Sequence, residues 1–237
     1  MENKIYKLGV IGGMGPEATS YFYDCITGHT EASCDQEHID MVILSHATMP
    51  DRTEAIITGE DKHLIELLKE DARTLEQLGV ANIAITCNTS HYFFKHIQKA
   101  VNIPVINMIQ ESVNYAVRNF EDVKRIGIMA TDGTINSRIY HKACKEAGVI
   151  PVKPSAERQQ DVMSLIYDDI KAGKPGDRKK FDRVMKEFMR KGCDVVILAC
   201  TELSVFKRKH EVPSMCLDAM DVLVRESIIR SGATYKD

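Results

Sequence analysis

One short pattern occurs twice in this chain, and it constrains the fold more than any other feature. In the first copy Gly79 precedes Cys87 by eight positions, with an apolar run between them. In the second copy Gly192 precedes Cys200 by the same eight positions, again with an apolar run between them. Both pairs are offset by 113 residues (192 − 79 and 200 − 87), nearly half of the 237-residue chain. The sequence therefore predicts one structural unit present twice, with a cysteine ending the same strand in each copy.

Apolar strand patterns alternate with amphipathic helical patterns along the whole chain. This alternation predicts an α/β fold with mostly parallel sheets flanked by helices. A polar loop is predicted between the second strand and the next helix, at residues 45–53. The predicted strands are Ile5–Ile11, Asp40–Leu44, the run before Cys87, Val105–Asn107, Val149–Val152 and the run before Cys200. In the second copy, Arg125–Ala130 parallels Leu8–Gly12, and Val212–Leu217 parallels Ile103–Asn107.

The repeat predicts two similar, pseudo-symmetric α/β domains. Residues 1–116 together with 214–237 are expected to form the N-terminal domain, which carries Cys87. Residues 117–213 are expected to form the C-terminal domain, which carries Cys200.

Charge and hydropathy exclude several classes of partner. The net charge of −3 and the isoelectric point near 6.3 give no basic footprint, so no nucleic acid partner is predicted. No apolar run approaches the roughly 18–20 residues that span a membrane. Residues 1–7 lack the apolar core of a signal peptide, so we expect a cytoplasmic protein with reduced thiols.

Both repeated cysteines fall at the carboxyl ends of predicted strands, where ligands bind in open parallel sheets. If the copies face each other, the thiols of Cys87 and Cys200 point into one cleft between the domains from opposite sides. Two acid/base groups flanking one carbon suit a reaction that removes a proton from one face and returns it to the other. A helix start is predicted directly after each cysteine, so we expect helix dipoles to favour the thiolates.

Two other interpretations compete for these cysteines. The first is that they are small buried residues without a chemical role; the repeated context argues against it for Cys87 and Cys200, and it is adopted for the other cysteines. A metal site is an alternative because Cys87 and His91 are four residues apart, with Cys200 and Glu202 as further ligands. Structural zinc sites usually have tighter Cys-x-x-Cys pairs, which this chain lacks, so no metal is predicted. The cysteines interpreted as structural are Cys25, Cys34, Cys144, Cys193 and Cys216.

A glycine-rich turn follows the first predicted strand. Its pattern, Gly13-x-Gly15-x-x-Ala18, fits a loose dinucleotide-binding fingerprint. That fingerprint requires an acidic residue at the end of the second strand, and this strand ends in Ile43-Leu44-Ser45. A substrate carboxylate therefore suits the turn better than a pyrophosphate, and no cofactor is predicted.

Two basic residues, Arg52 and Lys171, have competing interpretations. A solvated surface arginine is the ordinary explanation for Arg52, but its place after the second strand also suits a planar clamp for a carboxylate. Lys171 ends a predicted helix, where compensation of the helix dipole is sufficient explanation.

Five motifs spread over the chain carry a family resemblance: Leu8–Thr19 (LGVIGGMGPEAT), Asp35–His38 (DQEH), Met49–Thr53 (MPDRT), Cys87–His91 (CNTSH) and Ala199–Leu203 (ACTEL). In combination they resemble the aspartate/glutamate racemase family, and above all its aspartate racemase branch. The resemblance runs essentially from end to end. It implies two α/β domains with the active site in the cleft between them, racemisation of an amino acid by two cysteines without a cofactor, and a homodimer.

The resemblance also implies a role for individual residues. Cys87 and Cys200 would be the acid/base thiols. Arg52, assisted by Lys171, would bind the side-chain carboxylate of aspartate, and Glu202 would take the α-ammonium. The remaining substrate contacts that it implies are Asn88, Thr89, Thr131 and Thr201 around the α-carboxylate, and Met14 at the border of the pocket.

Departures from the family pattern bear on the substrate. The glutamate racemase branch typically has Asp-Ser-Gly at the first turn and Cys-Thr-His at the second cysteine. This chain has Gly12-Gly13 and Cys200-Thr-Glu202 in those places. The loop at residues 45–48 differs from the aspartate racemase pattern and leaves substrate breadth open. The alternatives are a glutamate-type or broad-specificity racemase, a dicarboxylate isomerase or decarboxylase with one nucleophilic cysteine, and a non-catalytic amino-acid binding protein. Retention of both cysteines favours racemisation.

Overall fold

The computed structural model of the protein describes residues 6–237. Residues 1–5 lie outside this range, and they include the predicted start of the first strand at Ile5 and most of the stretch considered for a signal peptide. The chain divides into two compact units. One comprises the described residues up to Met108 together with Met220–Asp237, and the other comprises Ile109–Ala219.

The first unit contains a three-stranded parallel sheet. Its strands are β1 (Tyr6–Gly12), β2 (Met41–Ser45) and β3 (Val80–Ile85), in the order β2-β1-β3. Short 3₁₀ turns occupy Asp35–Glu37 and Thr89–Phe93. The helices of this part of the chain are α1 (Pro16–His29), α2 (Arg52–Thr58), α3 (Lys62–Gln77) and α4 (Phe94–Ala100).

The second unit contains a four-stranded parallel sheet. Its strands are β4 (Arg125–Met129), β5 (Ile150–Val152), β6 (Val195–Leu198) and β7 (Cys216–Asp218), in the order β5-β4-β6-β7. A π-helical segment, Leu165–Ile170, follows α8 directly. The helices of this part of the chain are α5 (Met108–Asn119), α6 (Asp132–Ser137), α7 (Ile139–Glu146), α8 (Ala156–Ser164), α9 (Arg178–Arg190) and α10 (Thr201–Lys209). The last helix, α11 (Ala219–Arg230), belongs from Met220 onward to the first unit. The predicted α/β fold with parallel sheets is confirmed.

The two glycines of the repeat end corresponding helices. Gly79 follows α3 with φ of 80°, and Gly192 follows α9 with φ of 68°. This left-handed conformation costs glycine little and stops the helix, so the chain turns directly into the next strand. The same local chemistry therefore places β3 and β6 at equivalent points of the two sheets.

Each central strand also carries a glycine that lets a helix approach closely. A Cβ on Gly9 of β1 would lie 2.9 Å from Val80 and 3.1 Å from Leu75 of α3. A Cβ on Gly127 of β4 would lie 2.8 Å from the Phe188 ring of α9. Leu75 and Phe188 are fully buried, and burial of such a side chain contributes about 1.5–3 kcal/mol.

Several predicted elements differ from those observed. The predicted strand Val105–Asn107 is a single bridge from Val105 to Ile83, because the chain enters α5 at Met108 before further pairs form. The predicted polar loop at residues 45–53 is shorter, because Asp51 accepts a hydrogen bond from the amide of Glu54 at 2.9 Å and so starts α2.

The observed unit boundaries, after Met108 and after Ala219, differ from the predicted domain boundaries after residues 116 and 213. The reason at the second boundary is β7, which pairs with β6 and so belongs to the second sheet. Among the helices of residues 6–237, none combines the length and apolar character needed to cross a bilayer.

Candidate active site

Cys87 lies just beyond the carboxyl end of β3 in the first unit. Its side chain is 6% exposed, and Asn88 and Thr89 directly after it are also buried. The helix start predicted after Cys87 is the 3₁₀ turn Thr89–Phe93, which continues into α4. A buried thiol followed by buried polar side chains is the arrangement expected of a ligand site at a strand end.

His91 holds the backbone on both sides of this turn. Its Nδ1 lies 2.9 Å from the Cys87 carbonyl oxygen, and its Nε2 lies 3.2 Å from the Met108 amide nitrogen and 3.3 Å from the Ile106 carbonyl oxygen. Burial lowers the pKa of His91, which keeps the ring neutral. Both nitrogens therefore bond to backbone, which disfavours the predicted alternative of His91 as a metal ligand.

The glycine-rich turn lies beside the Cys87 strand. The Gly13 amide donates to Thr19 Oγ1 at 2.9 Å, and that hydroxyl lies 3.1 Å from the hydroxyl of Thr86. Met14 is buried in the same apolar cluster as Cys87, and the Ser90 hydroxyl lies 3.3 Å from its sulfur. The structure thus places Met14 and the residues around Cys87 in one neighbourhood.

Arg52 is buried, so its interpretation as a solvated surface arginine is wrong. It is the first residue of α2, a helix that packs against the turn Thr89–Phe93. Its guanidinium Nη1 donates to the carbonyls of Met49 at 3.2 Å and Pro50 at 2.8 Å. These bonds hold the planar guanidinium in one orientation near the Cys87 strand end, as a carboxylate clamp requires.

Cys200 lies at the carboxyl end of β6 in the second unit, as the N-cap of α10. Its side chain is 6% exposed, and its thiol donates to Glu202 Oε2 at 2.9 Å. Burial and the neighbouring Glu202 carboxylate raise the pKa of Cys200 well above its ordinary value, against the opposing charge of Lys171. The prediction that the helix dipole favours a thiolate is therefore wrong for Cys200, which rests as a thiol. Desolvation and an adjacent negative charge outweigh the dipole.

Lys171 completes a short chain of contacts with this thiol. Its Nζ lies 3.9 Å from Glu202 Oε1 and 4.3 Å from the centre of the Tyr167 ring. Lys171 follows the π-helical segment, where its amide bonds to the Ile166 carbonyl at 2.9 Å. The extra residue in a π turn rotates the following side chain relative to a regular helix, and such turns are frequent at functional sites.

Threonines border the same edge of the second sheet. Thr131 follows β4, the neighbour of β6, and caps α6 by accepting from the Thr134 amide at 3.4 Å. The hydroxyl of Thr201 lies 3.4 Å from Glu202 Oε2. Each unit therefore gathers its own share of the predicted residues. The first holds Met14, Arg52, Cys87, Asn88 and Thr89, and the second holds Thr131, Lys171, Cys200, Thr201 and Glu202.

Sequence reasoning missed Tyr167, which contacts Lys171, and the contact between His46 and Asp71, whose side chains lie 3.0 Å apart near the glycine-rich turn. Tyr167 lies one helical turn before Lys171, a spacing that signals contact only once the segment is known to be helical. Asp71 interrupts the apolar face of α3, and this signal is visible in the sequence.

The other cysteines are free thiols, and their surroundings vary. Cys34 is exposed, so its interpretation as a buried residue is wrong, and Cys216 is partly exposed. Cys25, Cys144 and Cys193 are buried. Within residues 6–237, no three His, Cys, Asp or Glu side chains are grouped as metal ligands would be.

We expect Glu202→Gln to lower the pKa of the Cys200 thiol relative to the native chain. The substitution removes the negative charge that stabilises the thiol, while burial, the largest cause, still keeps the pKa above its ordinary value. The rate of Cys200 alkylation by iodoacetamide, measured against pH by peptide mass spectrometry, should therefore begin to increase at a lower pH than in the native chain. Glu211→Gln removes an exposed carboxylate just beyond α10 and should leave the profile unchanged. An unaltered profile in Glu202→Gln contradicts the assigned cause.

Comparisons with known proteins identify the family of this chain. The sequence profile of the Asp/Glu/Hydantoin racemase family matches residues 11–227, and the chain belongs to that family. The broad-specificity amino-acid racemase RacX of Bacillus subtilis (strain 168) is 29% identical over 225 residues, which cover 93% of this chain and 96% of RacX. A glutamate racemase of Aquifex aeolicus (strain VF5) is 31% identical over 150 residues, which cover 62% of this chain and 56% of that protein.

A solved structure extends the similarity to the whole fold. The aspartate racemase of Picrophilus torridus has a TM-score of 0.83 and 28% sequence identity, covering 97% of this chain and 96% of that chain. The family relationship supports amino-acid racemase activity, in agreement with the resemblance noted from the motifs.

Proposed function

We propose that the protein is a cofactor-independent amino-acid racemase that acts on aspartate. The observation that carries the proposal is the presence of two buried thiols, Cys87 and Cys200, at the carboxyl ends of corresponding strands, each followed by buried polar side chains. The similarity to racemases over the full length of the chain supports it further.

The proposed reaction is a proton exchange at the α-carbon. One cysteine, as thiolate, takes the α-proton and becomes a thiol, while the C–H electron pair stays on the substrate as a carbanion delocalised into the α-carboxylate. The other cysteine, as thiol, donates its proton to the opposite face and becomes a thiolate. The protonated resting state of Cys200 supports its role as the acid in one direction, with Cys87 as the base. The two thiols exchange roles in the other direction.

The reverse direction requires Cys200 to lose its proton. In the resting state the thiol donates a hydrogen bond to the Glu202 carboxylate, 2.9 Å away, and this contact favours the protonated form. When the α-ammonium of the substrate donates to Glu202, the negative charge beside the sulfur is partly neutralised. This lowers the pKa of Cys200 from its raised resting value, so substrate binding itself prepares the second base.

The proposed substrate contacts divide by charge. Arg52 binds the side-chain carboxylate through its fixed guanidinium, assisted by Lys171. Asn88, Thr89, Thr131 and Thr201 hold the α-carboxylate, and Met14 borders the pocket. Side chains that donate hydrogen bonds to the α-carboxylate stabilise the negative charge that develops there in the transition state. This electrostatic effect is usually the largest in catalysis.

Aspartate is the preferred substrate in this proposal. Supporting it are the Cys200-Thr-Glu202 motif and the similarity to the Picrophilus torridus aspartate racemase. A glutamate-type or broader specificity is the alternative, because the similar proteins include glutamate racemases and RacX. We further propose a cytoplasmic homodimer that works without pyridoxal phosphate, as the family resemblance implies.

The test is incubation of the reduced protein, freed of metals and pyridoxal phosphate, with L-aspartate in heavy water. We expect deuterium at the α-carbon by proton NMR together with D-aspartate by chiral chromatography. Both signals are required, because solvent exchange without inversion would show that only one base is active.

Other outcomes of this experiment overturn parts of the proposal. Racemisation of other amino acids but not of aspartate overturns the substrate and keeps the mechanism. A covalent adduct on one cysteine, seen by intact mass without racemisation, indicates the isomerase or decarboxylase class. Thermal stabilisation by amino acids without any proton exchange indicates a binding protein.

A further inference from the structure

Asp71 occupies an unusual place on α3. Leu64, Leu68 and Leu75 form the buried face of this helix, and Asp71 falls on the same face, three residues after Leu68 and four before Leu75. Its side chain is 14% exposed, and burial raises the pKa of this carboxyl, against an opposing effect from His46. A carboxylate on an apolar face costs folding free energy unless a partner compensates for it.

His46, on the loop between β2 and α2, is that partner. Its Nδ1 lies 3.0 and 3.2 Å from the two carboxylate oxygens of Asp71. Because the carboxylate accepts, Nδ1 carries a hydrogen and donates. Within residues 6–237 this is the only hydrogen-bonding contact of the His46 side chain. The ring therefore tethers the loop to α3.

The backbone of His46 connects the glycine-rich turn to Arg52. Its amide donates to the Gly12 carbonyl at 3.1 Å, and its carbonyl accepts from the Met49 amide at 3.3 Å. The Met49 carbonyl in turn accepts from the Arg52 guanidinium at 3.2 Å. Gly13 packs so closely on the loop that a Cβ there would lie 2.4 Å from the backbone nitrogen of His46. A shift of His46 would therefore move both neighbours.

We propose that His46, held by Asp71, is a positioning residue that sets the orientation of Arg52 and so the affinity for the side-chain carboxylate of the substrate. This inference rests on the proposed function, in which Arg52 binds that carboxylate. A purely stabilising role of this partly buried pair predicts that its loss lowers the thermal stability and leaves substrate binding unchanged. A positioning role instead predicts a loss in substrate binding.

The test compares His46→Leu, Asp71→Leu and the double variant. We expect each single substitution to raise the KM for L-aspartate about tenfold, with kcat little changed, because loss of a hydrogen bond to a charged group has an effect of this size. The double variant should be no worse than either single variant, since both remove the same contact. Additive effects, or an unchanged KM in both single variants, overturn the proposal.

Two further variants sharpen the comparison. His46→Asn carries an amide nitrogen at nearly the place of Nδ1, so it should restore the contact with Asp71 and most of the affinity. Glu70→Leu replaces an exposed carboxylate next to Asp71 on α3 and should keep the native KM. A defect in His46→Asn as large as in His46→Leu contradicts a role through Nδ1.

Hydrogen–deuterium exchange separates this inference from the proposed function. In Asp71→Leu the amides of His46 and Met49 should exchange faster, while those within β1 stay protected, because only the loop loses its tether. If the native protein racemises no amino acid, the proposed function fails, and the exchange result alone decides whether His46 and Asp71 position the loop. Unchanged exchange at His46 and Met49 overturns the positioning role whatever the activity.

Discussion

Replacing either Cys87 or Cys200 with serine should lower racemisation by about a thousandfold or more, since general acid–base groups contribute on this scale. In the two-base scheme each variant keeps one working base. Cys200→Ser should therefore exchange the α-proton of only one aspartate enantiomer with heavy water, and Cys87→Ser that of the other. Proton NMR of each pure enantiomer, with chiral chromatography for inversion, measures both effects.

A third cysteine provides the matched control for these variants. Cys193 is 7% exposed, close to the 6% of Cys87 and Cys200. It lies between α9 and β6, the strand that ends near Cys200. Cys193→Ser should keep native racemisation, which separates loss of a base from loss of a buried sulfur. Near-native racemisation by Cys87→Ser or Cys200→Ser would refute the two-base mechanism, and exchange of the same enantiomer by both would refute the assignment of opposite faces.

The sequence was sufficient to locate the repeat because its signals are local. A glycine in left-handed conformation, an apolar run and a cysteine within nine residues determine where a helix ends, where the strand runs and where the thiol lies. Gly79 and Gly192 both have positive φ, and β3 and β6 follow directly. Strand alternation with helices was likewise enough to predict two parallel sheets.

The charge state at Cys200 depends on burial and could not be derived in this way. A helix start after the cysteine is visible in the sequence, and it predicts a stabilised thiolate. The depth of burial, and the direction in which the Glu202 side chain turns, depend on tertiary packing. Both raise the pKa of Cys200, so the folded environment reverses the local expectation.

The contact between His46 and Asp71 lay beyond the sequence for a related reason. The two residues are 25 positions apart, and one belongs to a loop whose path depends on Gly13. An acidic residue on the apolar face of α3 signals that some partner exists, but it does not identify the partner. The burial of Arg52 has the same origin, because a helix start at Asp51 and packing of α2 decide it.

Replacing Arg52 with alanine should lower kcat/KM for aspartate about a hundredfold or more, because removing one partner of a buried charge pair costs on this scale. The effect should fall mainly on KM, since the side-chain carboxylate is bound in the ground state as well as in the transition state. Arg52→Lys should recover only part of the loss, because an ammonium group lacks the planar pair of donors that fits a carboxylate. Steady-state kinetics in both directions measure these effects.

The matched control is Arg73→Ala, which removes an exposed arginine from α3. It changes the net charge of the protein by the same amount as Arg52→Ala. Native kinetics are expected there, because a solvated surface charge contributes little to binding at a distant site. A loss in Arg52→Ala confined to kcat, with KM unchanged, would indicate that Arg52 acts on the reacting carbon rather than on the side-chain carboxylate. Native kinetics in Arg52→Ala would remove Arg52 from the site, and with it the physical basis for a preference for dicarboxylic substrates.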